Sequence, residues 1–285
     1  MGLKSKKILG ISITIDSKKT ILEYIEKYLE KSSEKPLHIA TPNPEQIVYA
    51  QKDKHFLEIL NQADVAIPDG IGLALAIRVK RIPGVELMED LVKLAAIRGY
   101  GVGLIGGRGN IAVEALECLI RKFPSLSGWA FEPGEIDLGN LGNLREKIQK
   151  TKTRLVFVGL GAPKQEYYIA RLARDLSLRG ASLGATRQSL DLPAGKAGIA
   201  SPSERSRNDG VVLMAVGGSF DIISGRTPRA PWIVRNMGLE WLWRLIREPW
   251  RWRRQLALVK FIWMIVREKL VSKCYSSTMA VRSGL

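Results

Sequence analysis

Four short runs place reactive or polar side chains beside glycine or proline, and three arginines further on share a helical face. Pro68-Asp69-Gly70 puts a carboxylate just after a short apolar run. An Asp at a strand end can act as a general base, and the same tripeptide also suits an Asx-type turn. Thr41-Pro42-Asn43-Pro44-Glu45 offers a hydroxyl and an amide to a polar ligand, and reads equally as the capped start of a helix. Gly106-Gly107-Arg108-Gly109-Asn110 follows one apolar run and precedes a helical one. Glycines there let backbone approach a ligand, and a helix start favours anions; a plain tight turn is the alternative. Gly159-Leu160-Gly161-Ala162-Pro163 leads into Lys164-Gln165-Glu166. Glu166 suits a first helical turn on macrodipole grounds alone, whereas Gln165 beside a glycine-rich loop hints at ligand contact. Arg244, Arg251 and Arg254 share one helical face and could clamp a phosphate; a solvated basic face is the simpler alternative.

These runs need elements to hold them at strand ends. Residues 7–15 read as a strand, and Asp16-Ser17 can cap a helix to about Lys31 with Ile21, Leu22, Ile25, Tyr28 and Leu29 on one face. Strands are predicted at 37–41, 65–67, 102–105, 155–158 and 211–216. Helices are predicted at 44–60, 89–98, 110–122, 141–150 and 164–176. Apolar strands alternating with helices argue for an α/β, Rossmann-like, mostly parallel sheet flanked by helices. Ligands in such sheets sit at the carboxyl ends of the strands. Gly101-Val-Gly103-Leu-Ile-Gly106 fits a dinucleotide fingerprint by letters only, because it runs through the predicted strand instead of following it. Residues 179–210 are rich in Gly, Ala, Ser and Arg without periodicity and read as a flexible surface insertion.

Composition bounds the rest. The chain has 285 residues, 46% hydrophobic and 25% charged, enough for a sizeable core in one or two domains. The natural division is 1–225 as the α/β core and 226–285 as a helical appendage. The formal charge is +16, and residues 226–285 alone hold 13 Lys or Arg against 3 Asp or Glu. Six of the seven tryptophans, at 232, 241, 243, 250, 252 and 263, lie there too. A basic, Trp-rich appendage suits a membrane surface or a nucleic acid. Two cysteines, Cys118 and Cys274, give no disulfide framework and suit a reducing compartment. His38 and His55 have no partner spacing, which excludes a multi-His metal site. No apolar run reaches about 18 residues, so no transmembrane helix is expected. The start, MGLKSKKILGISITI, lacks a signal-peptide cleavage site, and Lys6 stands where a myristoylation motif wants Ser or Thr.

In this order the motifs resemble the WecG/TagA/CpsF glycosyltransferases, glycosyltransferase family 26. The matching segments are TPNPEQIVYA at 41–50, ADVAIPDGIGLALA at 63–76, GLIGGRGN at 103–110, VGLGAPKQE at 158–166, VGGSFDIISGRTPRAP at 216–231 and GLEWLWRLIREPWRWRRQ at 238–255. The resemblance covers about residues 8–268. It implies an inverting, metal-independent transferase of EC 2.4.1 type that needs no cofactor. It would move N-acetylmannosamine or its uronic acid from a UDP-sugar to polyprenyl-diphosphate-linked GlcNAc, in teichoic acid or another surface polysaccharide. By the same resemblance Asp69 is the general base with Thr41 beside it. Asn43, Gly106, Gly107, Gln165 and Glu166 fall at the substrate, and Arg244, Arg251 and Arg254 close over the diphosphate. The expected place is cytoplasmic, peripheral on the inner face of the cell membrane, with no nucleic-acid partner and a homo-oligomer open. The chain departs from the family twice: Gly84-Val85-Glu86-Leu87 carries Glu where an Asp is usual, and 179–210 has no counterpart. A non-enzymatic basic binding protein and an inactive family member are the rival readings.

Overall fold

The computed structural model describes residues 2–31, 33, 35–131, 141–185, 210–237, 239–247, 249 and 252–282. The chain opens on a hairpin, β1 (Ser5–Ile8) and β2 (Ile11–Thr14), antiparallel with Ile8 opposite Ile11. A single strand was expected over 7–15. Leu9 and Gly10 both take positive φ, 46° and 80°, which is the backbone twist a two-residue hairpin turn demands. α1 (Lys18–Glu30) starts where expected, because the Ser17 side chain accepts from the Thr20 N–H, and it buries Ile21, Ile25 and Leu29.

β3 (Leu37–Ala40) enters the main sheet. The predicted helix over 44–60 is two helices, α2 (Pro44–Ala50) and α3 (Lys54–Gln62). Asp53 breaks it by capping α3, its carboxylate accepting from the Phe56 N–H. After β4 (Val65–Ala66) come α4 (Ile71–Ile77) and α5 (Gly84–Arg98). β5 (Gly101–Gly106) leads to α6 (Ile111–Lys122), β6 (Gly128–Phe131) and α7 (Gly142–Lys150). β7 (Thr153–Gly159), α8 (Lys164–Ala185) and β8 (Val212–Ala215) follow. The helix α8 therefore takes residues 179–185, the first part of the predicted flexible insertion; 186–209 lie outside the described residues. Short helices α9 (Ser219–Ile223), α10 (Trp232–Asn236) and α11 (Glu240–Arg247) precede the long α12 (Trp252–Arg282).

Six strands form one sheet in the order β4-β3-β8-β7-β5-β6, every pair parallel. One core layer packs α1, α5 and α6 against one face, with Phe157 and Phe220 at its centre. The other face is covered by α7 and α8 around Trp129 and Tyr168. A third cluster joins the hairpin to α2, α3 and α4, and α12 belongs to it through Phe261 and Ile265. The glycines of the dinucleotide-like letters sit inside β5. A side chain at Gly103 would strike the Trp129 ring, and one at Gly101 would lie 2.7 Å from the Thr151 carbonyl. They serve strand packing. Among the described residues no helix is long and apolar enough to cross a membrane.

Candidate active site

The carboxyl edge of the sheet carries a cavity of about 1470 Å³. Loops leaving β3, β4, β5, β7 and β8 form its walls, and α11 reaches it through Glu240 and Trp241. The expectation that the motif loops meet at strand ends is met by this parallel arrangement.

Asp69 is set by its backbone. Its N–H donates to the carbonyls of Pro42 at 3.1 Å and Ile67 at 2.9 Å, which ties the β4 turn to the β3 turn. Gly70 follows at φ 113°, a conformation that side chains resist. The Asp69 carboxylate is left 34% exposed, with Arg81 Nη2 3.8 Å from Oδ1. Thr41 is its neighbour: a Cβ built on Gly84 would lie 3.4 Å from Thr41 Cγ2 and 3.6 Å from Asp69 Oδ2. Thr41 itself is buried, and its hydroxyl donates to the Ala215 carbonyl at 3.2 Å. Asn43 lines the cavity and also caps α2, accepting from the Gln46 N–H at 3.0 Å. The run is thus the capped start of a helix, with Asn43 at the cavity wall.

On the other wall, Gly107 faces the cavity while Gly106 stands behind it. Gly106 has φ 106°, and a Cβ there would come within 2.9 Å of the Gly159 backbone. The Gly107 N–H donates to the Gly159 carbonyl at 3.0 Å, which locks the β5 and β7 turns together. Gln165 lines the cavity at 1% exposure. Glu166 differs from the expected substrate contact. It is 0% exposed and lies behind the wall, its Oε1 accepting from Gln46 Nε2 and Gln165 Nε2, each at 2.9 Å. Burial pushes its carboxyl up to about 7, against the pull of those hydrogen bonds.

Arg251 and the side chains of Arg244 and Arg254 lie outside the described residues. Other residues that sequence reasoning did not single out stand at the cavity. Arg81 bridges Glu240 at 2.8 Å as well as facing Asp69, so α11 is tied to the β4 turn. Gln46, Gly217 and Asp221 also line the cavity. These three fall within the motif runs, so motif position could have flagged them, whereas Arg81 falls outside every run. Glu86 turns away to Arg229, 2.8 Å from its Oε1, and to Lys18 at 3.8 Å. The longer carboxylate anchors the segment leading to α10 and does not line the cavity.

Comparison with known proteins bears on this arrangement. The profile of the Glycosyl transferase WecG/TagA/CpsF family matches residues 6–207 and 202–275. Proteins of Staphylococcus aureus strains MW2, NCTC 8325 and COL are each 29% identical over 268 residues, 92% of either chain. Each bears the name N-acetylglucosaminyldiphosphoundecaprenol N-acetyl-beta-D-mannosaminyltransferase.

Proposed function

The chain belongs to the WecG/TagA/CpsF family of glycosyl transferases, and on that premise we propose that it transfers N-acetylmannosamine, or its uronic acid, from UDP to polyprenyl-diphosphate-linked GlcNAc. The observation that carries this reading is the partly exposed Asp69 carboxylate beside Thr41 on the wall of a cavity built by five strand-end loops. The names of the staphylococcal relatives support the choice of sugar and acceptor.

In this reading an acceptor hydroxyl attacks the anomeric carbon from the side opposite the leaving UDP. The new carbon–oxygen bond forms as the bond to phosphate breaks, which inverts the anomeric centre. Asp69 takes the hydroxyl proton. Arg81 stands beside it, its Nη2 3.8 Å from Oδ1. Negative charge then grows on the departing diphosphate. Gly107 and Arg108 stand before the first turn of α6, where the Asn110 side chain makes no cap bond. A helix start without a side-chain cap suits an anion. We assign the diphosphate there, with Arg244, Arg251 and Arg254 of the appendage closing over it in place of a metal.

The appendage also gives the enzyme a route to a lipid-linked acceptor. Trp252, Leu256, Val259, Trp263 and Leu270 form an exposed apolar row on α12, in a strongly basic segment. Such a face lies on an anionic bilayer without crossing it. The test is UDP release from a panel of UDP-sugars, with detergent-solubilised GlcNAc-diphosphate-lipid and EDTA present. Asp69→Asn is expected to lower turnover by about 10²- to 10⁴-fold while UDP still binds. Full turnover by Asp69→Asn, or silence from wild type with no UDP affinity, would overturn the reading.

A further inference from the structure

Behind the cavity wall, three neighbouring strands converge on one carboxyl group. β3 delivers Gln46 through α2, β7 delivers Gln165 and Glu166 at the start of α8, and β8 delivers Gly217. Glu166 Oε1 accepts from both glutamine Nε2 groups at 2.9 Å. On the far side of its amide, Gln165 Oε1 accepts from the Gly217 N–H at 3.0 Å. A glutamine amide can turn over about its last torsion and exchange donor for acceptor. Here a backbone donor demands the oxygen on one side and a carboxyl oxygen demands the NH₂ on the other. Gln165 is therefore held in one sense, and among the described residues its second Nε2 hydrogen has no acceptor.

The arrangement is costly for a core. Glu166 Oε2 and Gln46 Oε1 are buried without a hydrogen-bond partner, and each such atom opposes folding. Apolar side chains of similar volume would serve stability better. Polar atoms placed this way, one layer behind a cavity wall, point to a task at the wall.

We infer that Glu166 is a positioning residue: it acts through Gln165 and Gln46, fixing which face of each amide meets the oxygen atoms of the bound sugar. The inference rests on the transferase reading above. Glu166 does not touch the reacting atoms. It sets a fixed donor against a hydroxyl or acetamido oxygen of the substrate.

The experiment compares wild type, Glu166→Gln, Glu166→Met, Gln165→Ala and the Gln165→Ala/Glu166→Met double variant. Turnover, UDP affinity and thermal midpoint are measured for each, with assays run below the lowest midpoint. Glu166→Gln keeps the accepting oxygen, and its kcat is expected within about 3-fold of wild type. Glu166→Met removes that oxygen, and kcat should fall by about 10- to 100-fold with UDP affinity unchanged. In the Gln165→Ala background the Met substitution should add less than about 3-fold. Wild-type kcat in Glu166→Met overturns the inference. So does an equal loss from Met in both backgrounds, or a loss in Glu166→Gln as large as in Glu166→Met. If wild type turns over no donor, the transferase reading fails by itself. The positioning role is then read from the Gln165 side-chain amide protons by NMR. Slow exchange with solvent in wild type, turning fast in Glu166→Met, upholds it; no difference between the two overturns it.

Discussion

Gly106 shows how narrowly a single residue can be specified. Its φ of 106° and the Gly159 backbone at 2.9 Å from any Cβ leave no room for a side chain. Neither backbone can move alone, because Gly107 is bonded to the Gly159 carbonyl. Gly106→Ala should cost about 1–3 kcal/mol, read from a shift in urea midpoint, and should weaken UDP binding by distorting Gly107. At this scale the site was partly legible in the chain. Asp69, Thr41 and Gln165 stand in motifs whose residue types carry their own chemistry. Glu166 was visible as a residue and not as a buried one, because an acidic first turn looks the same whether it faces water or the core. Arg81 gave no signal at all: it faces Asp69 only once α4 and the turn after it have folded back.

Elements set the protonation of groups that the sequence leaves neutral. His38 is buried in β3, between β4 and β8, and burial lowers it to about 4 against the opposing pull of Asp64. Its contribution to stability is present above the unfolded value near 6.5 and is lost as pH falls through about 4. Glu166 runs the other way. Raised to about 7, it contributes fully below its unfolded value and loses that contribution as pH rises through 7. Each is worth on the order of 3 kcal/mol across its window. The two windows overlap between about pH 4.5 and 6.5, so the opposed slopes nearly cancel in wild type: chemical denaturation of His38→Gln should uncover a stability that falls as pH rises towards 7, and of Glu166→Gln one that rises from about pH 4 to 6.5. Elements were also where sequence reading succeeded and failed most visibly. Long strands such as β5 and β7 announce themselves by apolar runs. The hairpin turn at Leu9-Gly10 was hidden by an unbroken apolar pattern, and α4 by the glycine that starts it. β6 was missed because four residues at a sheet edge, Gly128–Phe131, carry too little periodicity.

Across the whole molecule, α12 serves two surfaces at once. Phe261 is 0% exposed and packs with the core of α2 and α4, and a Cβ on Gly72 would meet Leu258 at 2.7 Å. Leu256 and Trp263, on the same helix, are 57% and 58% exposed. Phe261→Ala should lower stability by about 3–5 kcal/mol. The Leu256→Glu/Trp263→Glu pair should leave the thermal midpoint in place and weaken co-sedimentation with anionic vesicles by about 10-fold or more. Removing everything after Gly225 would strip core side chains along with the basic face, so these paired substitutions separate what truncation confounds. The remaining end of the sheet has its own consequence. α8 leaves the cavity edge at Lys164, and the chain re-enters the sheet at Gly210, whose carbonyl accepts from Arg154 at the start of β7. Gly210 therefore stands at the amino edge of the sheet, a strand's length from Asp69 and Gln165. Between fixed anchor points, doubling a connection costs only about 0.6 kcal/mol. Lineages can write new text into that margin, and a laboratory can attach a fluorophore or an affinity handle there, while the chemistry at the opposite edge keeps its spelling.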